Sequence, residues 1–179
     1  MTELILLSSG TVEKSETGEE PMLTETVKRR LETGVENLDP NTYIYAFPCR
    51  SAVETTYYTA SETLSKWMPL SSLAHLPAYA GSVKDILQSI RNRRKLFVYP
   101  LTADELQKEL ADTFYNRIFP EEADEKVMIV GPSFHLALLG ETFSGRPADQ
   151  LFQELEVNAY VTVSEEAVRH SGECRTGRF

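Results

Sequence analysis

The stretch "LILLSSGT", Leu4 to Thr11, decides how the rest of the chain is read. Four apolar residues, Leu4 to Leu7, stop at Ser8, Ser9 and Gly10. A short apolar run bounded by serine and glycine predicts a strand buried on both faces. The stop is abrupt, as it is where such a strand delivers a loop to a ligand site. This loop carries two neutral hydroxyls and no charge.

Two more stretches have the same form. In "YIYAFPCRS" a strand over Tyr43 to Phe47 is stopped by Pro48 and followed by Cys49, Arg50 and Ser51. In "VMIVGPS" a strand over Val127 to Val130 ends at Gly131-Pro132, with Ser133 next. Helical spacings separate them. Leu23, Val27, Leu31, Val35 and Leu38 fit one helix face, ended by Asp39-Pro40. Ser51 to Trp67 is predicted helical, although Thr55 to Tyr58 is poor helix material. Further helices are predicted over Val83 to Ile90, Ala103 to Phe119, His135 to Phe143 and Ala148 to Leu155. In the helix over Ala103 to Phe119, Leu106, Leu110, Phe114 and Ile118 share a face. Lys95 to Tyr99 reads as a strand or extended segment and Ala159 to Val163 as a last strand. Thr11 to Pro21 is polar and loop-like, and Met68 to Ala80, with two prolines, has no period.

Alternating strands and helices predict a three-layer α/β/α domain over residues 1–164 with a mostly parallel sheet, followed by a polar tail over 165–179. In such sheets a ligand lies beyond the carboxyl ends of the strands. Ser8-Ser9-Gly10, Pro48 to Ser51 and Gly131-Pro132-Ser133 are therefore expected on one rim.

The 179 residues carry a formal net charge of -9, with 25% charged and 41% hydrophobic residues. An acidic chain without a basic stripe argues against nucleic acid or an anionic membrane as partner. The short basic cluster from Arg91 to Lys95 suits a solvated helix end. Cys49 and Cys174 form no CxxC pair, and three scattered histidines complete no zinc site, so neither metal nor cofactor is expected. The apolar run near Met1 is too short for a signal or membrane span, and the cysteine usage fits a reducing compartment. A cytoplasmic location is the expectation.

The three strand ends carry a resemblance. "LILLSSG", the Leu23-Thr24 of "PMLTETVKRRLE", "YIYAFPCRSAVETT", "VMIVGPSFHLALLG" and "LFQELEVNAYVTV" fall in the order found in the histidine phosphatase superfamily. The chain resembles the phosphoglycerate mutase-like fold from Glu3 to Val163, less so from Met68 to Phe119. The resemblance implies phosphoryl transfer through a phosphohistidine, clamped by two arginines and a second histidine, with a carboxylate protonating the leaving group. It places the nucleophile at Ser9, its neighbouring arginine at Ser8, the second arginine at Ser51 and the second histidine at Pro132. Between Met68 and Ala80, where the acid belongs, there is no Asp or Glu.

Every charged member of that pocket is thus replaced. Loss of a single preorganised donor costs on the order of a hundredfold in rate, and here three cations and the nucleophile are gone together. The expectation is a non-catalytic pseudophosphatase that works through a protein partner or as a homo-oligomer. Tyr57, Tyr58, Trp67 and Met68 are candidates for an aromatic contact patch, with core packing the plainer alternative, above all for Trp67. The alternative function is a divergent phosphatase using Arg50, His75 or His135, or a weak phosphate binder. Candidates for anion binding are Arg50, Ser9, Gly10 and Ser133, since helix starts near Ser51 and Ser133 offer N–H groups. Arg50 is otherwise a surface arginine, His135 a packed structural histidine and Cys49 a small buried side chain. Ser8 and Ser9 lack the neighbouring base that a serine nucleophile needs.

Overall fold

The computed structural model describes residues 3–9, 42–63, 65–78, 80–95, 99–118, 126–158 and 160–164. The predicted loop over Thr11 to Pro21, the helix over Leu23 to Leu38, Gly10, Cys174 and the tail lie outside them.

The architecture is a three-layer α/β sandwich around a five-stranded, mostly parallel sheet. Strands β1 (Glu3–Ser8), β2 (Tyr43–Ala46), β3 (Trp67–Pro69), β4 (Lys126–Gly131) and β5 (Tyr160–Ser164) stand in the order β3-β2-β4-β1-β5. β1 pairs in parallel with β4, β4 with β2, and β2 with β3; β5 runs antiparallel along β1. The central strands are apolar without alternation because helices cover both faces, and Leu4, Leu6, Ile129 and Val130 are fully buried.

Five α-helices flank the sheet among the described residues: α1 (Arg50–Thr63), α2 (Val83–Asn92), α3 (Ala103–Thr113), α4 (Ser133–Ser144) and α5 (Ala148–Asn158). α1 packs on β2, β3 and β4, while α4 and α5 pack on β1 and β5 and on each other. α4 lies between the sheet and the outer helices, and every residue from Ser133 to Gly140 is buried. A helix apolar all round is one enclosed on all sides. Gly140 permits this: a Cβ there would stand 2.7 Å from Leu6 Cδ1 and 2.9 Å from Leu151 Cδ1.

α1 forms against its propensities. Its buried threonines return their hydroxyls to the helix: Thr55 Oγ1 donates to the Ser51 carbonyl at 2.7 Å and Thr59 Oγ1 to the Thr55 carbonyl at 2.9 Å. Such back-bonding lets β-branched polar residues sit on the face turned to the sheet.

Two expectations need correction. The helix predicted from Ser51 to Trp67 is described only as far as Thr63, and Trp67 opens β3 instead. Pairing with β2 makes this strand, not its own pattern, for all three residues are exposed. Pro69 is tolerated because this is an edge, where no ladder partner waits for its missing N–H. The helix predicted from Ala103 to Phe119 is not uniform: beyond Thr113 it widens into a π turn over Phe114–Ile118. Of the segment from Lys95 to Tyr99 only the two ends are described: Lys95 bridges to Thr102, and Tyr99 is buried.

Candidate functional site at the strand ends

The carboxyl ends of β1, β2 and β4 are neighbours in the sheet, so the three loops meet at one rim. The Ser9 N–H donates to the Gly131 carbonyl at 2.9 Å, and the Phe47 N–H to the Val130 carbonyl at 2.8 Å. These bonds carry the ladder one step past each strand and fix the rim.

Side chains of successive strand residues point to opposite faces. Ser8 shares the face of Leu6, which is turned to α4, and Ser8 Oγ lies 2.6 Å from Ser133 Oγ at the start of that helix. Ser9 turns the other way, and its Oγ accepts from Ser51 Oγ in α1 at 3.2 Å. Ser51 Oγ also lies 3.7 Å from the Cys49 thiol. The four serines are 2–4% exposed and Cys49 7%. The rim thus holds a buried set of neutral groups bonded to one another and tying the sheet to two helix starts.

Of the residues singled out in the sequence, Ser8, Ser9, Ser51 and Ser133 come together, with Pro132 beside them. Pro132 is the N-cap of α4 at φ -60° and ψ 139° and gives that helix no side-chain cap. Gly10 lies outside the described residues. Arg50 is the first residue of α1, half-exposed, with its Nε 3.0 Å from Glu54 Oε1, so part of its guanidinium is held by an ion pair one turn along. His75 is bonded to Glu109 of α3 at the surface.

His135 is the buried histidine expected from the sequence, but its partner is one that spacing cannot show. Its Nε2 lies 2.7 Å from Tyr99 Oη, its ring stacks on Phe47 at 4.8 Å with 5° between planes, and Phe134 and Tyr99 close it in. Among the described residues its Nδ1 has no hydrogen-bond partner. Burial with no opposing charge lowers its pKa to about 3, so the ring is neutral. Burial, with Glu109 adding to it, pushes the Tyr99 phenol well above its ordinary range. The pair is a neutral hydrogen bond inside the core.

Gly131 belongs to the same arrangement. A Cβ on it would stand 2.4 Å from Phe47 Cδ2, so the glycine makes room for the ring that covers His135. Trp67 was expected in the core; it is 38% exposed, with Met68 at 58% beside it on β3. Tyr57 and Tyr58, on the outer side of α1, are 65% and 40% exposed. Among the described residues no three His, Cys, Asp or Glu side chains form a metal-binding group, and no helix is long and apolar enough to cross a membrane.

No family profile and no curated protein matches the chain by sequence. Solved structures do match by shape. YhfR of Bacillus stearothermophilus superposes with a TM-score of 0.57 at 18% identity, covering 84% of each chain. A phosphoserine phosphatase from Entamoeba histolytica, in complex with 3-phosphoglyceric acid, gives 0.60 at 14% identity over 90% of each chain. A putative alpha-ribazole-5'-P phosphatase from Escherichia coli K-12 gives 0.58 at 13% identity, covering 85% of this chain and 84% of its own. The fold is therefore the phosphoglycerate mutase-like α/β fold that these structures share.

Proposed function

We propose that this chain is a pseudophosphatase: a non-catalytic domain on a phosphatase fold that works by binding a protein partner. The observation that supports this is the pairing of Ser8 with Ser133 and of Ser9 with Ser51, all four buried. Phosphoryl transfer depends on a positioned nucleophile and on cations set around the transferred group. At the positions where the resemblance places that machinery stand hydroxyls that satisfy each other. A phosphate entering among them would break both bonds and lose its own hydration, with neutral groups in return.

The solvent side of α1 and the adjoining edge strand supports the binding half. Tyr57, Tyr58, Trp67 and Met68 expose large apolar groups on neighbouring elements, and aromatic residues of this kind anchor protein interfaces. The rival reading, a divergent phosphatase built from Arg50, His75 and His135, gains nothing from their placement, for each is engaged elsewhere: with Glu54, Glu109 and Tyr99.

Assays with p-nitrophenyl phosphate and with a phosphohistidine peptide test the proposal. The expected result is no turnover above buffer and no difference between the parent and Ser9→Ala. Turnover that Ser9→Ala abolishes would overturn it.

A further inference from the structure

The strand order β3-β2-β4-β1-β5 puts β3 at one edge of the sheet and β5 at the other. A bare strand edge invites pairing with another chain, and proteins blunt such edges with short strands, prolines and charges.

β3 is blunted. It has only three residues. The Lys66 carbonyl accepts the Ile44 N–H, and the Leu70 N–H donates to the Ala46 carbonyl, so positions 66 and 70 turn their backbone groups to β2. By alternation Trp67 and Pro69 turn theirs outward, and Pro69 has no N–H to offer.

β5 carries none of these devices. Its five residues, Tyr160–Ser164, pair with β1 from Leu7 back to Glu3. Tyrosine, valine and threonine are good strand formers. The strand has no proline, glycine or charge, and the uncharged run extends from Val157 to Ser164. Among the described residues no strand pairs with its outer side. Val161 and Val163 are buried, whereas Tyr160 and Thr162 are exposed on the other face. Tyr160 is 49% exposed, and Val157, just before the strand, is more exposed at 71% than any other large apolar side chain described.

Charge selects what can meet this edge. A chain with a net charge of -9 repels its own copies, and an uncharged edge is where two of them can approach without placing like charges together. A strand edge is also complementary to itself. In an antiparallel pair two opposed residues exchange N–H and carbonyl, which is the reciprocity of a two-fold axis.

We propose that β5 pairs antiparallel with β5 of a second copy of this chain, about a two-fold axis at Thr162, joining the two sheets into one. Centring on the middle residue brings all five residues of each strand into register. It sets Tyr160 of each copy opposite Ser164 of the other on the exposed face, where the ring covers the seam. The surface lies at the other edge of the sheet from Trp67 and Met68 and involves none of the rim serines.

Sedimentation equilibrium of the full chain over a range of concentrations tests it. A reversible dimer is expected. Thr162→Lys sets two ammonium groups against each other at the axis and should raise the dimer dissociation constant about fivefold or more, as should Thr162→Glu with two carboxylates. An equal mixture of the two variants should recover the dimer, because the opposed groups then attract. Met68→Lys, on β3, should leave it unchanged. Thr162 and Met68 are exposed, so folding is not at stake. A chain that stays monomeric at every concentration overturns the proposal. So does a dimer indifferent to the Thr162 variants, or one that their mixture fails to recover. A dimer weakened by Met68→Lys also overturns it, because the contact then lies on β3.

Discussion

Tyr99 Oη and His135 Nε2 lie 2.7 Å apart, and both side chains are 1% exposed. The unfolded histidine takes up a proton near pH 6.5, whereas the folded one resists until about pH 3. Between those values the unfolded state binds the extra proton. The stability that the neutral ring contributes is therefore complete above about pH 6.5 and is lost as the pH falls. The loss approaches about tenfold in the folding constant per pH unit. Urea midpoints measured from pH 8 to pH 4 should fall more steeply for the parent than for His135→Phe. Parallel curves would show that His135 does not carry this dependence.

Gly131→Ala places a methyl group against the Phe47 ring. Overpacking of this kind costs about 1–3 kcal/mol. The cost should shrink when Phe47→Leu is introduced with it, because the contact is specific to the ring. Chemical denaturation of the two single variants and the double variant checks this, and additive losses would count against the contact.

Ser8→Ala leaves the buried Ser133 hydroxyl without the partner it has at 2.6 Å. An unsatisfied buried hydroxyl costs about 1–3 kcal/mol. The double variant Ser8→Ala with Ser133→Ala should lose less than the sum of the single losses, since the Ser133 hydroxyl is then removed together with the partner it would miss. Equilibrium unfolding gives the coupling directly.

Arg93 closes α2 in the left-handed region, at φ 50° and ψ 36°. Its guanidinium also reaches Gln107 Oε1 at 3.2 Å and the Glu141 carboxylate. Alanine there keeps the strained backbone and loses the side-chain bonds; glycine loses the bonds and relieves the backbone. Arg93→Gly should therefore be about 1 kcal/mol more stable than Arg93→Ala. Melting temperatures in the reverse order would refute this.

What could be read from the sequence was what repeats along it. Leu4 to Leu7, Tyr43 to Phe47 and Val127 to Val130 announce buried strands by composition alone, and the helix spacings place α2 to α5 within a few residues. Trp67 to Pro69 could not be found this way, because three exposed residues with a proline become a strand only by pairing with β2. The π turn was hidden because Leu106, Leu110, Phe114 and Ile118 keep their spacing of four through it. The meeting of Ser8, Ser9, Ser51 and Ser133 was legible as a shared rim. Which serine bonds to which was not, since that depends on strand pleat and helix placement across separations of 42 and 125 residues. The links of His135 to Tyr99 and of His75 to Glu109 are tertiary in the same way.

The opposite facing of Ser8 and Ser9 has a consequence for how such a rim could change. α4 holds one serine and α1 holds the other. A larger or charged side chain at position 9 pushes on α1 while Ser8 stays latched to α4; at position 8 the strain falls on α4 while α1 stays latched. Neither change alone opens a cavity, since each releases one layer against the grip of the other. The rim behaves as a two-key lock, and any route to a charged pocket passes through single-step variants less stable than the present chain.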